Sequence, residues 1–124
     1  MNTVSNKSLI EECRERLLKA KSELLNHSRR QLEEYRQLDK GSGDEADQSA
    51  QSWAEHEFLS AQERVRFQLV EIESALHRIV SGTYGICEET DELIERERLL
   101  AIPWTRLSIE GAEIREAMKR RYAR

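Results

Sequence analysis

Residues 81–111, SGTYGICEETDELIERERLLAIPWTRLSIEG, decide how the rest of the chain is read. The stretch sets Cys87 three positions before Thr90, and Ser108 three positions before Gly111. A four-thiolate zinc site needs one Cys-x-x-Cys pair on a hairpin and a second pair where the chain returns. Both spacings are kept, but only Cys87 can offer a thiolate. Cys87, Thr90, Ser108 and Gly111 are therefore read as the ligand positions of a site whose metal set is vacant. The expected local structure is a small zinc-ribbon-like, metal-free β-hairpin, with short strands at 84–88 and 93–96 around a turn at 90–91. Pro103 breaks the chain again, and Ser108 caps a final helix that runs to Tyr122.

A segment that gives up zinc has to replace what the ion supplies. Structural zinc contributes on the order of 10–16 kcal/mol of apparent binding energy, which in small domains is folding energy. Residues 81–124 are near the size at which an unaided core becomes marginal. The apolar candidates to replace the ion are Ile86, Leu93, Ile94, Leu99, Leu100, Ile102, Trp104 and Ile109, together with docking on the preceding helices. The Thr90 and Ser108 hydroxyls are expected to hydrogen-bond where thiolates would otherwise bind metal. Cys87 itself reads as a buried small hydrophobe, and Cys13 as helix packing. His27, His56 and His77 fall on helical stretches, where solvated or packing roles are the ordinary ones.

Upstream the apolar residues keep helical periods. Ile10, Cys13, Leu17, Ala20 and Leu24 recur at spacings of three and four, widened by Leu18, Leu25, Leu32, Tyr35 and Leu38. This predicts a helix over 6–38, ended by Gly41 and Gly43. A second helix is expected from Asp44 to about residue 80. Its seam is Asp47, Ala50, Ala54, Ala61, Val65, Ile72, Leu76 and Ile79, flanked by Trp53, Phe58 and Leu69, with a gap near Gln68. Two long helices joined by a short glycine-rich turn favour an antiparallel hairpin over a parallel dimer. The fold class is therefore mainly α: a long antiparallel coiled-coil hairpin over 1–80, with its tip at about 39–49. A base with a C-terminal helix follows over 81–124.

Composition agrees with exposed helices. Of the 124 residues 35% are charged, and only one is proline. The net charge of −4 is uneven: residues 1–40 carry nine basic and seven acidic groups, 41–80 three and eight, and 81–124 eight and nine. No basic stripe with interleaved aromatics is present, so direct DNA binding is not expected. The basic run Lys119-Arg120-Arg121 suits the C-terminus of a helix. Two well-separated cysteines fit a reducing cytoplasm, and no apolar run reaches the length of a membrane span.

Gly82-Thr83-Tyr84-Gly85, Cys87-Glu88, Ile94, Arg98-Leu99, Ala101, Pro103 and residues 107–110 keep a joint spacing that resembles the DksA/TraR family of bacterial regulators. The resemblance covers nearly the whole chain, more weakly before Asp44. It implies a regulator that binds RNA polymerase rather than promoter DNA, its coiled coil entering the secondary channel to alter initiation. It also implies a link to the stringent response, with guanosine tetraphosphate (ppGpp) bound only between regulator and polymerase. The family carries Asp-x-x-Asp-x-Ala at the tip, matched here by Asp44-Glu45-Ala46-Asp47-Gln48-Ser49. Similarity thus makes Asp44, Asp47 and Ser49 the partner-binding residues, with Ser49 adding a hydroxyl where the family has alanine. Read without the resemblance, Asp44 is a natural N-cap, and the acidic turn complements the helix dipole.

Catalysis finds no support in the sequence. There is no phosphate-cradling glycine loop, no His-Glu-x-x-His and no nucleophile elbow. The expectation is a cytoplasmic, monomeric, non-enzymatic transcription regulator. A coiled-coil adaptor holding a different partner is the alternative.

Overall fold

The computed structural model of the protein describes the backbone of residues 3–39 and 45–123, with side chains from 6 to 38 and from 48 to 123. Four helices follow one another: α1 (Thr3–Asp39), α2 (Glu45–Ser81), α3 (Arg96–Ala101) and α4 (Ile109–Tyr122). Neither long helix contains glycine or proline, so nothing in α1 or α2 interrupts the backbone ladder. α2 ends at Gly82, whose φ of 84° is the left-handed conformation that glycine adopts at no steric cost. The next amide, Thr83, donates to the Arg78 carbonyl at 3.0 Å, which completes a Schellman stop.

The chain forms two compact units, residues 20–70 and residues 1–19 with 71–124. In the first, α1 and α2 run antiparallel. Ser28 donates to the Gln62 side-chain oxygen at 3.0 Å, and further along α1 Tyr35 stacks on Phe58 with ring centres 4.4 Å apart. Ala61 and Val65 are buried on the α2 side, as the seam requires. Trp53, expected beside the seam, stands 66% exposed.

The second unit has a denser interior. Its buried residues include Cys13 and Leu17 from α1, Ile72 and Ala75 from α2, and Tyr84, Cys87, Ile94 and Leu99 from the segment that follows. The Tyr84 hydroxyl donates to the Pro103 carbonyl at 2.8 Å, and the Cys13 thiol to the Leu99 carbonyl at 3.7 Å. Burial, reinforced by a hydrogen bond with Cys13, pushes the Tyr84 phenol well above its usual value.

The expected β-hairpin contracts to one antiparallel bridge, Ile86 with Leu93. Two bonds flank it: the Cys87 amide to the Glu92 carbonyl at 2.7 Å and the Ile94 amide to the Gly85 carbonyl at 2.8 Å. The ladder stops there because Glu88 turns away to bond Arg106, and Glu95 opens α3. Arg96, expected at a strand end, is the first residue of that helix. Ile102 ends it with φ −133°, as a residue before proline should. The expected core changes accordingly. Ile94 and Leu99 are buried, but Leu93 is 62% exposed, and Ile86 and Ile109 are also exposed. Side chains alternate along extended backbone, so the bridge pair faces outward while Cys87 and Ile94 face inward.

α4 starts where its cap predicts, with Ser108 accepting from the Gly111 amide at 3.0 Å. Among the described residues, no helix is long and apolar enough to cross a membrane.

Candidate functional site

Two regions were singled out by sequence. At the helical turn, Asp44 lies outside the described residues. Asp47 belongs to the first turn of α2, but its side chain is also outside them. Ser49 is exposed on α2.

At the other region the structure brings Cys87, Thr90, Ser108 and Gly111 together around one sulfur. Cys87 opens a tight turn in which the Asp91 amide donates to its carbonyl at 2.9 Å, and Asp91 takes φ 60°. The Thr90 hydroxyl accepts from the Glu92 amide at 3.3 Å, and the Ser108 hydroxyl accepts from the Gly111 amide. Each hydroxyl therefore keeps its own proton for another acceptor. Both direct it at the Cys87 sulfur, as do the backbone amides of the same two residues. Burial pushes the thiol up, but these hydrogen bonds to Ser108 and Thr90 together outweigh it and hold Cys87 at about 6. The sulfur has no exposed surface. Cys87 is buried in the core, as expected, and its sulfur in addition accepts from this polar cluster.

Around the turn lies a ring of ion pairs that no motif announced. Arg106 bonds Glu71 on α2 at 2.9 Å and Glu88 at 3.0 Å, with Ser74 at 2.9 Å. Arg115 on α4 bonds Glu89 at 3.0 Å and reaches Glu88 at 3.7 Å. Hydrogen bonding to Glu71, ahead of the opposing effect of burial, raises the Arg106 guanidinium above its ordinary value. Burial and the neighbouring Arg106 lower Arg78, although Glu88 and Glu71 partly offset this. Arg78 donates to the Trp104 and Thr105 carbonyls, and Arg98 to the Leu107 carbonyl at 2.8 Å. Residues 102–108 lack a regular ladder, so these guanidiniums satisfy carbonyls that would otherwise be stranded. The partners lie up to 35 positions apart in sequence, where spacing carries no signal.

The donor set does not fit a zinc ion. It offers one sulfur, two hydroxyls that already serve as hydrogen-bond partners of that sulfur, and a glycine with no side chain. The space beside Gly111 is taken too: a Cβ built there would overlap the Cys87 sulfur. Among the described residues, no three His, Cys, Asp or Glu side chains are grouped so that they could hold a metal.

Residues 82–117 match the model of the prokaryotic dksA/traR C4-type zinc finger. The chain is 38% identical over 111 residues to an uncharacterized protein of Aquifex aeolicus, covering 87% of this chain and 77% of that one. It is 32% identical over 115 residues to the RNA polymerase-binding transcription factor DksA of Caulobacter vibrioides, covering 93% of this chain and 81% of that protein. The solved structure of transcription factor DksA2 from Pseudomonas aeruginosa superposes with a TM-score of 0.77 at 30% identity. That match covers 91% of this chain and 87% of the other. The chain belongs to the DksA/TraR family.

Proposed function

We propose that this chain is a transcription regulator that binds RNA polymerase and acts without catalysing a reaction. The observation that carries the reading is likeness over nearly the whole length, both to a protein named as an RNA polymerase-binding transcription factor and to the DksA2 fold. In this reading residues 1–80 form a coiled-coil hairpin that enters the secondary channel of the enzyme. Residues 81–124 form the base that presents it, and the protein works as a monomer in the cytoplasm. Asp44 and Asp47, with Ser49 beside them, meet the region of the active site. Carboxylates there act on a Mg²⁺ ion, a nucleotide or a mobile polymerase element, and so shift the balance between polymerase states at initiation. ppGpp is then a ligand of the complex with polymerase, not of this chain alone. The base does this work without zinc, which suits a cell short of zinc or under thiol oxidation.

The test is a pull-down with core polymerase, followed by transcription in vitro with and without ppGpp. The double variant Asp44→Asn, Asp47→Asn is expected to bind polymerase as the parent does and to lose its effect on transcription. A chain that fails to bind polymerase, or a double variant with full effect, overturns the reading and favours an adaptor with another partner.

A further inference from the structure

The glycines of the base fall into two kinds. Gly82 and Gly85 have φ of 84° and 86°, so the backbone itself calls for them. Gly111 has no such conformation; it is the third residue of α4, where glycine costs roughly 0.5–1 kcal/mol relative to alanine. Something other than backbone freedom must account for it. A Cβ at Gly82 would meet nothing within 4 Å, and one at Gly85 would make ordinary contact with Leu99 at 3.6 Å. At Gly111 the added carbon would run into the Cys87 sulfur and crowd the Ser108 hydroxyl at 3.3 Å and the Glu89 Cβ at 3.4 Å. The sulfur cannot step aside cheaply, because Cys87 is completely buried and its short side chain has a single rotatable bond to the sulfur.

We propose that Gly111 commits this base to a metal-free state: with no side chain at 111, the Cys87 sulfur seats itself against the first turn of α4, in the space a fourth ligand would need. The seat and the zinc site are alternatives. A side chain restored at 111 has to evict the sulfur from its hydrogen bonds before any tetrahedral set can form. The same closeness lets Ser108 serve two roles at once, as cap for the Gly111 amide and as donor to Cys87. The stability of the base should therefore ignore zinc and depend on a size match between positions 87 and 111.

A double-mutant cycle on the full chain tests this, read as thermal midpoints. Gly111→Ala is expected to lower the midpoint by roughly 5–15 °C through overpacking. Cys87→Ala alone also lowers it, because it leaves the Thr90 and Ser108 hydroxyls without their acceptor. Combined, the two changes should recover at least about half of the Gly111→Ala loss, since the new methyl group fills the room the sulfur vacates. Additive losses, a harmless Gly111→Ala, or a double variant as insoluble as the single one would each overturn the proposal. In a second arm, untagged wild-type protein is refolded with excess zinc chloride and measured by atomic emission. Fewer than about one zinc per ten chains is expected, with equal midpoints in zinc and in EDTA. One tightly held zinc per chain would sink the idea. Neither readout involves polymerase, so the proposed function stands or falls separately.

Discussion

The two compact units solve the problem of a small core in different ways. Between residues 20 and 70, two helical stretches lie face to face, and among the described residues only Ala61 and Val65 are buried. The contacts along this thin seam include the Tyr35–Phe58 ring stack and the Ser28–Gln62 hydrogen bond. The unit around Cys87 buries residues from both long helices and from the irregular segment, and fixes that segment with directed bonds from Arg16, Arg78, Arg98 and Arg106. Regular helices satisfy their own backbone and need only a modest apolar stripe. Irregular chain satisfies little by itself, so it needs donors from elsewhere and a real interior. Stability should accordingly concentrate around Cys87.

The sharpest way to break that contrast is Leu17→Ala. Leu17, on the part of α1 that belongs to the unit around Cys87, is completely buried, so the change should cost about 2–5 kcal/mol in urea denaturation. Val65→Ala, in the thin seam, should cost clearly less. Equal losses would mean that the seam carries as much of the fold as the base does.

The second effect is a pH slope. Cys87 is held at about 6, below the value of an unfolded thiol near 8.5. A group depressed in the folded state contributes stability that is fully present above the unfolded value and is lost as pH falls through the folded one. Stability should therefore rise as pH climbs from about 6 to 8.5. Subtracting the profile of Cys87→Ser isolates this slope from other titrations. Parallel profiles for the two proteins would remove the thiolate from the account of the base.

Much of this was legible in advance. The long helices follow from apolar period and from freedom from glycine and proline. The start of α4 follows from Ser108, because a cap is a local device. α3 was hidden because RERLLA is too short to show a helical period, and its apolar pair reads equally well as strand. The grouping of Cys87, Thr90, Ser108 and Gly111 followed from spacing. The sulfur's role did not, because it depends on two hydroxyl protons aimed by tertiary structure. The arginine ring was hidden for a similar reason: in a chain with 20 basic and 24 acidic residues, sequence cannot pick which ones pair.

Arg106 tests the third level of the contrast. It is only partly exposed and joins Glu71 and Ser74 on α2 to Glu88 beside Cys87. Arg106→Ala should cost about 1–3 kcal/mol, since the half-buried Glu71 loses this partner and Glu88 keeps only the longer contact with Arg115. Arg66→Ala removes a well-exposed pair with Glu63 and should fall within about 0.5 kcal/mol of the parent. Similar losses from the two would mean that the ring is ordinary surface charge rather than a fastening for the base.

The smallest effect has the opposite sign. In the thin seam the side-chain oxygen of Gln31 and the side-chain nitrogen of Gln62 are buried without a hydrogen-bond partner. An unmet polar atom lowers stability, and an apolar side chain of similar length removes the penalty while adding contact. Gln31→Leu should therefore raise the unfolding free energy by up to about 1 kcal/mol, measured against the same urea series. A gain would show that residues 20–70 are held below the stability their geometry allows. A loss of that size would instead give the two glutamines a part in fixing the register of α1 on α2. The contrast between the units would then narrow, because polar groups would be setting the structure of the seam as they do around Cys87.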